Sequence, residues 1–210
     1  MTEAEKQILS EYIPSGALEE VVHLIVRHKI HLKITQRRTT KLGDYRPPSP
    51  EAPYHRISIN HDLNPYSFLI TFIHETAHLL VYKRFRKKKV QPHGKEWKTF
   101  YRQLMQRFLD KEIFPPVIKA EIEKSITNSK ASTHSEINLT RALQAYDRPP
   151  AKEGVVTLET LPEGTVFITE NGRIYKKGKK RRVRYMCMNL QNKRWYLFHP
   201  LTPVLPDTQN

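Results

Sequence analysis

The residues with chemistry to offer sit in Phe68–Tyr82, an apolar stretch that carries His74-Glu75-x-x-His78. At 3.6 residues per helical turn, histidines four apart leave the same face one turn from each other. Both imidazoles can then reach one metal ion, with Glu75 beside it. The neighbouring residues favour this helix: Asn64 is a good N-cap, Pro65 suits the first helical position, and apolar side chains surround the histidines on nearly every side. Two neutral imidazoles and a carboxylate are costly in such a helix unless they are paired or metal-bound, which is the physical argument for zinc. His93 supplies a third candidate ligand. It stands fifteen positions after His78, ahead of a second helical pattern (Trp97, Phe100, Tyr101, Leu104, Met105, Phe108), so a returning turn can bring it to the open side of the ion. Three imidazoles leave a fourth position for water, as a catalytic zinc site requires, and one Zn2+ per chain is expected.

Other elements must position these groups. Thr2–Tyr12 reads as a short helix closed by Pro14, and Ser15 is expected to cap the next one. There Leu18, Val21, Val22, Ile25 and Val26 recur at three- and four-residue spacing and form one apolar face. Ile30–Ile34 and His55–Ile59 alternate apolar and polar residues with period two, as half-buried strands do. Between them Gly43 and Pro47-Pro48-Ser49-Pro50 mark a turn and an irregular connection. His23, His28 and His31 fall on different faces and read as ordinary polar residues. Beyond Phe108, Val117–Ile126 and Ile137–Tyr146 read as short helices, with Asn128–Thr133 loop-like between them.

His74-Glu75-x-x-His78 and His93-Gly94-x-x-Trp97, preceded by Arg38-Thr39-Thr40-Lys41-Leu42-Gly43 and the strand Ile57-Ser58-Ile59-Asn60, resemble the SprT-like (SprT/Spartan-like) zinc metalloprotease family over roughly Leu18–Phe108. The resemblance implies a zincin-like domain and a zinc peptidase acting on DNA-bound or DNA-crosslinked proteins. In it His74, His78 and His93 are the ligands, and Glu75 is the base that activates a zinc-bound water. In zincin-like proteases a substrate peptide lies extended along an edge strand, and Arg37–Tyr45 occupies that place. Its other reading, a surface strand whose charges discourage aggregation, stays open. The oxyanion donor also stays open between Tyr101, Tyr82 and an arginine. One departure matters: SprT-like proteins often continue into a four-cysteine zinc ribbon, whereas Cys187 is the sole cysteine here.

After residues 148–154, read as a linker, the composition changes. Thr165–Ile168, Gly172–Lys176, Val183–Met188 and Arg194–Phe198 are strand-like, with turns expected at Asn171-Gly172 and at Gly178. The expected class is therefore α+β: a zincin-like domain over 1–147, with a small sheet, an active-site helix and flanking helices, then an antiparallel β module over 155–210. From Asn171 to His199 there is no acidic residue. Arg173, Lys176, Lys177, Lys179, Lys180, Arg181, Arg182 and Arg184, with Trp195 among several interleaved aromatics, form the candidate nucleic-acid surface. Cations that follow phosphates and rings that stack bases favour single-stranded DNA. Most of the aromatics are expected to build the module's own core in place of a metal. The run Lys83–Lys89 would bring a bound nucleic acid near the catalytic mouth.

The formal charge of +15 points to an anionic partner, nucleic acid ahead of a membrane. No apolar run spans a bilayer and the N-terminus lacks the form of a signal peptide, so a cytoplasmic protein with protein substrates is expected. Two other functions fit less well. An adaptor with a structural or vestigial zinc site has no need of Glu75, and a general zinc peptidase has no need of charge clustered in a separate module.

Overall fold

A computed structural model of the chain describes residues 1–38, 40–86, 90–127, 133–147 and 153–207. Two compact units emerge: Met1–Thr127 with Ala145–Asp147, and the described residues of Asn128–Gln144 with Arg148–Asn210. Most of the expected linker, 148–152, lies outside the described residues.

In the first unit, α1 (Glu3–Ser10) starts at a capping box, with the Thr2 hydroxyl accepting from Glu5 N–H and the Glu5 carboxylate accepting from Thr2 N–H. Ser15 does not cap α2 (Leu18–His28). It opens a 3-10 turn, Ser15–Ala17, that runs directly into the helix through Ala17, so no side-chain cap is made. Three strands follow, β1 (Ile30–Thr35), β2 (Gly43–Arg46) and β3 (His55–Asn60), in the order β1-β3-β2. β1 runs parallel to β3 and β2 antiparallel to it, which leaves β2 on an edge. Period-two alternation turns Ile57 and Ile59, both fully buried, towards the helices.

The centre of the unit is α3 (Pro65–Phe85), capped by Asn64 through its side-chain oxygen on Ser67 N–H at 2.9 Å, with Pro65 as the first helical residue. Phe68, Leu69, Phe72, Ile73, Ala77 and Leu79 are fully buried, so the helix is fixed as core from several sides. α4 (Lys95–Leu109) packs on it and buries Trp97, Leu104, Met105 and Phe108; α5 (Pro116–Thr127) adds Ile118 and Ile122.

The second unit holds α6 (Thr133–Gln144) and a six-stranded antiparallel sheet. Its strands are β4 (Val156–Thr157), β5 (Val166–Ile168), β6 (Ile174–Arg181), β7 (Arg184–Asn189), β8 (Trp195–Phe198) and β9 (Pro203–Pro206), in the order β4-β9-β5-β6-β7-β8. Four of these strands, β5 to β8, fall on the expected strand-like runs; β4 is two residues long and β9 is bounded by prolines, which hides both from a pattern reading. Gly178 is not a turn residue. It lies inside β6 where the register with β7 shifts between Lys177 and Lys180, and the chain reverses instead at Arg182, whose φ is 51°. Leu158, Phe167, Tyr175, Cys187 and Val204 form the core, with Tyr185 and Phe198 packed on it, so aromatic and aliphatic packing closes the module. No described helix in either unit is long and apolar enough to cross a membrane.

Candidate functional site

α3 presents His74 and His78 one turn apart on the side facing His93. His93 is carried by a tight turn in which Gly94 N–H donates to Gln91 C=O at 3.0 Å. His93 itself has φ 56°, a left-handed conformation that is uncommon outside glycine and concentrates at functional sites. Gly94 is required for close approach, since a Cβ there would lie 2.9 Å from the Gln91 carbonyl oxygen. The three Nε2 atoms converge: His74 to His78 is 3.3 Å, His78 to His93 is 3.0 Å, and His93 to His74 is 2.9 Å. Nitrogens at tetrahedral positions about 2.0–2.1 Å from an ion stand roughly 3.3 Å apart, so the donor set fits a small tetrahedral cation. Among the described residues these three histidines form a group able to hold a metal ion.

Electrostatics prepare the same residues. Burial, reinforced by the other imidazoles, lowers the pKa of His74 to about 3, and burial with His93 nearby lowers that of His78 to about 4. Both are neutral at neutral pH, the form that binds metal. Trp97 closes one side of the cluster, its ring centroid 4.6 Å from His74, 5.5 Å from His78 and 4.8 Å from His93, while its indole N–H donates to His74 C=O at 3.4 Å. Tyr101 stacks on Trp97 at 4.8 Å. This aromatic contact had a signal in His93-Gly94-x-x-Trp97, but the spacing alone does not reveal that one indole touches all three imidazoles.

Glu75 is 8% exposed. Burial, and then the charge of Asp44, raises its pKa to about 7, against a hydrogen bond from Tyr45 backbone N–H and the charges of Lys41 and Arg38. β2 therefore lies on α3. The approach is held from behind by Arg38, which donates to Asn60 Oδ1 at 2.8 Å and Ser58 Oγ at 3.0 Å. Buried Asn60 in turn donates to the carbonyls of Arg38 and Lys41, both at 3.1 Å. The half-buried stripe of α3, including Ile70, His74, His78 and Tyr82, forms the floor of a cleft of about 820 Å³, with β2 as one wall. Of the tyrosines considered for an oxyanion, Tyr82 lines this cleft and Tyr101 does not. The basic run Lys83–Lys89 begins inside the last turn of α3 and is described only to Arg86, which also lines the cleft and sits over the Tyr82 ring.

In the second unit Arg173, Lys176, Lys179, Lys180, Arg181, Arg182 and Arg184 are exposed. Lys177 stands apart from them: it is 4% exposed and points inward, where its ammonium donates to Leu158 C=O at 2.8 Å, to Glu159 C=O at 3.3 Å and to Leu161 C=O. Trp195 is 55% exposed, and its ring covers Gly178, where a Cβ would lie 3.1 Å from the indole. The glycine thus lets the indole lie on the strand with its outer face open. Tyr175, Tyr185 and Phe198 belong to the core.

Residues 15–123 match the sequence profile of the SprT-like family. Protein SprT of Yersinia enterocolitica serotype O:8 / biotype 1B is 35% identical over 108 residues, covering 43% of this chain and 59% of that protein. The chain thus spans less than two thirds of the length of this relative. No solved structure gives a significant match.

Proposed function

Because the chain belongs to the SprT-like family, we propose that it is a zinc-dependent endopeptidase of zincin-like fold, with His74, His78 and His93 as ligands and Glu75 as general base. The observation that carries this reading is the convergence of three Nε2 atoms, 2.9–3.3 Å apart, beside a buried carboxylate. Zinc bound there supplies Lewis acidity and a water of lowered pKa. The protein's own residues do the rest. A carboxylate whose pKa lies near neutrality is suited to take a proton from the attacking water and return one to the leaving amine. The β2 edge, held against Glu75, offers backbone groups to an extended peptide and so binds without reading its sequence. Trp97 excludes water from one side of the imidazoles.

The substrates in this reading are proteins bound or crosslinked to DNA, and the exposed cations of the second unit with the open face of Trp195 recruit the enzyme to single strands. The alternative of an adaptor leaves buried Glu75 unexplained. The test combines metal analysis with cleavage of a DNA-binding protein, with and without single-stranded DNA. Glu75→Gln should keep its zinc and lose about 10²–10⁴-fold in rate, and His93→Ala should lose the metal. A Glu75→Gln variant that cleaves at the wild-type rate, or a His93→Ala variant with full zinc, overturns the assignment. Cleavage indifferent to DNA leaves a general peptidase.

A further inference from the structure

The three-stranded sheet of the first unit has an outer face as well as the one that packs on the helices. Residues alternate across a strand, and Ile57 and Ile59 point inward, so the register assigns the outer residues without ambiguity. His31 of β1, Arg56 of β3 and Arg46 of β2 stand in one row, side by side. The next row is Lys33, Ser58 and Asp44, and Arg38 lies across Ser58 and Asn60. Like charges directly opposite one another destabilise a sheet, and here Arg56 stands opposite Arg46. Opposing carboxylates are few. Asp44 is shared between Lys41 and Arg46, at 2.8 Å from each, and exposed Glu51 is close enough to be influenced by Arg56. Lys33 is exposed and makes no ion pair among the described residues, and the buried Nε of Arg56 has no hydrogen-bond partner there. Beside the first row the Tyr54 ring lies 5.0 Å from His31 and is 41% exposed.

From this arrangement we infer that the outer face of the β1-β3-β2 sheet is a nucleic-acid-binding surface, on the catalytic unit itself and separate from the basic strands of the second unit. Lys33, Arg46 and Arg56 meet phosphates, and Tyr54 stacks a base. Phosphates supply the counter-charge that the sheet lacks, and release of their counterions drives the binding. An exposed ring next to cations on a flat sheet suits a single strand, because every base has a face to stack. The outward rows hold no large aliphatic side chain to insert into a lipid layer. The inference does not require the peptidase reading.

The test is a salt titration of the full chain against a fluorescent single-stranded oligonucleotide, with circular dichroism, thermal melting and metal content checking the fold. Four proteins are compared: wild type, Lys33→Ser/Arg46→Ser/Arg56→Ser, a second-unit variant with Lys179, Lys180, Arg181 and Arg182 all changed to Ser, and the combination. Three lost phosphate contacts should lower the slope of log K against log salt by about 2, and weaken binding about a hundred-fold at 0.1 M salt, in both backgrounds. If the triple variant unfolds, exposed Lys33→Glu alone decides, with the same direction and a smaller effect. Tyr54→Ala should weaken single-strand binding more than duplex binding. Unchanged affinity and slope in a folded sheet-face variant overturns the inference. Peptidase assays of Glu75→Gln are independent of either result.

Discussion

Gly43 passes so close to Glu75 that a Cβ on it would lie 3.0 Å from both Cγ and Oε1 of the glutamate, and 2.6 Å from Cγ2 of Thr71. The contact is between the edge strand and the helix that carries Glu75, so backbone position on β2 and carboxylate position on α3 are set together.

Gly43→Ala should therefore act on the reaction before it acts on the metal. The added methyl must push β2 outward or turn the Glu75 side chain, at an overpacking cost of about 1–3 kcal/mol. A displacement near 1 Å at the reacting groups costs on the order of 10²-fold in rate. The expected result is zinc content equal to wild type, a modestly lowered melting temperature, and kcat reduced by roughly one to two orders of magnitude. Wild-type kcat in the alanine variant would show that the contact does not position Glu75.

Much of the first unit was legible because independent signals coincide on α3: Asn64 as cap, Pro65 at the first turn, an apolar surround, and His-Glu-x-x-His at helical spacing. His93 was legible because it stands at the start of the next helix, just before the N-cap Gly94. The Gly43–Glu75 contact was not, since it depends on how far β2 slides along α3, and no local pattern encodes that distance. In the second unit the period-two rule was sufficient for Lys177, which shares a strand face with Tyr175. Reading the basic run as one continuous surface passed over it. Ser15 and Gly178 show the same limit: each residue type fits several local roles, and tertiary packing selects a 3-10 turn for one and a register shift within a strand for the other.

Acid should destabilise the metal-free protein through its histidines. His74 titrates at about 3, and His78 and His28 at about 4, each depressed chiefly by burial; for His28 the Lys83 and Arg27 charges add to it. Unfolded histidines titrate near 6.5, so between about pH 6.5 and 4 the unfolded chain binds more protons and stability falls as pH falls. Glu75 opposes this in part. Its folded pKa of about 7 lies above the unfolded value, so its contribution favours the fold at low pH and is lost as pH rises towards 7. Three histidines outweigh one glutamate, leaving a net uptake of roughly two protons on unfolding near pH 5.5. Denaturant titrations of chelator-treated protein across this range should show the decline, and His28→Gln should make it shallower by about one proton. Stability independent of pH between 6.5 and 4 would contradict the buried, neutral state of these imidazoles.

Lys177 should prove to be a structural residue of the second unit. Its ammonium joins the carbonyls of Leu158, Glu159 and Leu161, which belong to the short turn after β4, and it lies 4.0 Å from the centroid of the Tyr185 ring. Methionine keeps the stem and removes the charge, leaving buried carbonyl oxygens without a donor. A hydrogen bond to a charged group contributes about 1.5–3 kcal/mol, and unsatisfied acceptors add a desolvation penalty. Lys177→Met is thus expected to cost about 2–4 kcal/mol in the unfolding of this unit. Lys176→Met, one residue away on the exposed face, should change stability by no more than about 0.5 kcal/mol. Fluorescence of Trp195 in a Trp97→Phe background reports the relevant transition, since these are the chain's two tryptophans. Nucleic-acid affinity separates the roles further. At temperatures where both variants are folded, Lys176→Met should lower the salt slope by about 0.7 and Lys177→Met should leave it unchanged. The reverse pattern would mean that Lys177 leaves its carbonyl cage to meet a phosphate, and that the inward orientation of its side chain is not the one that binds.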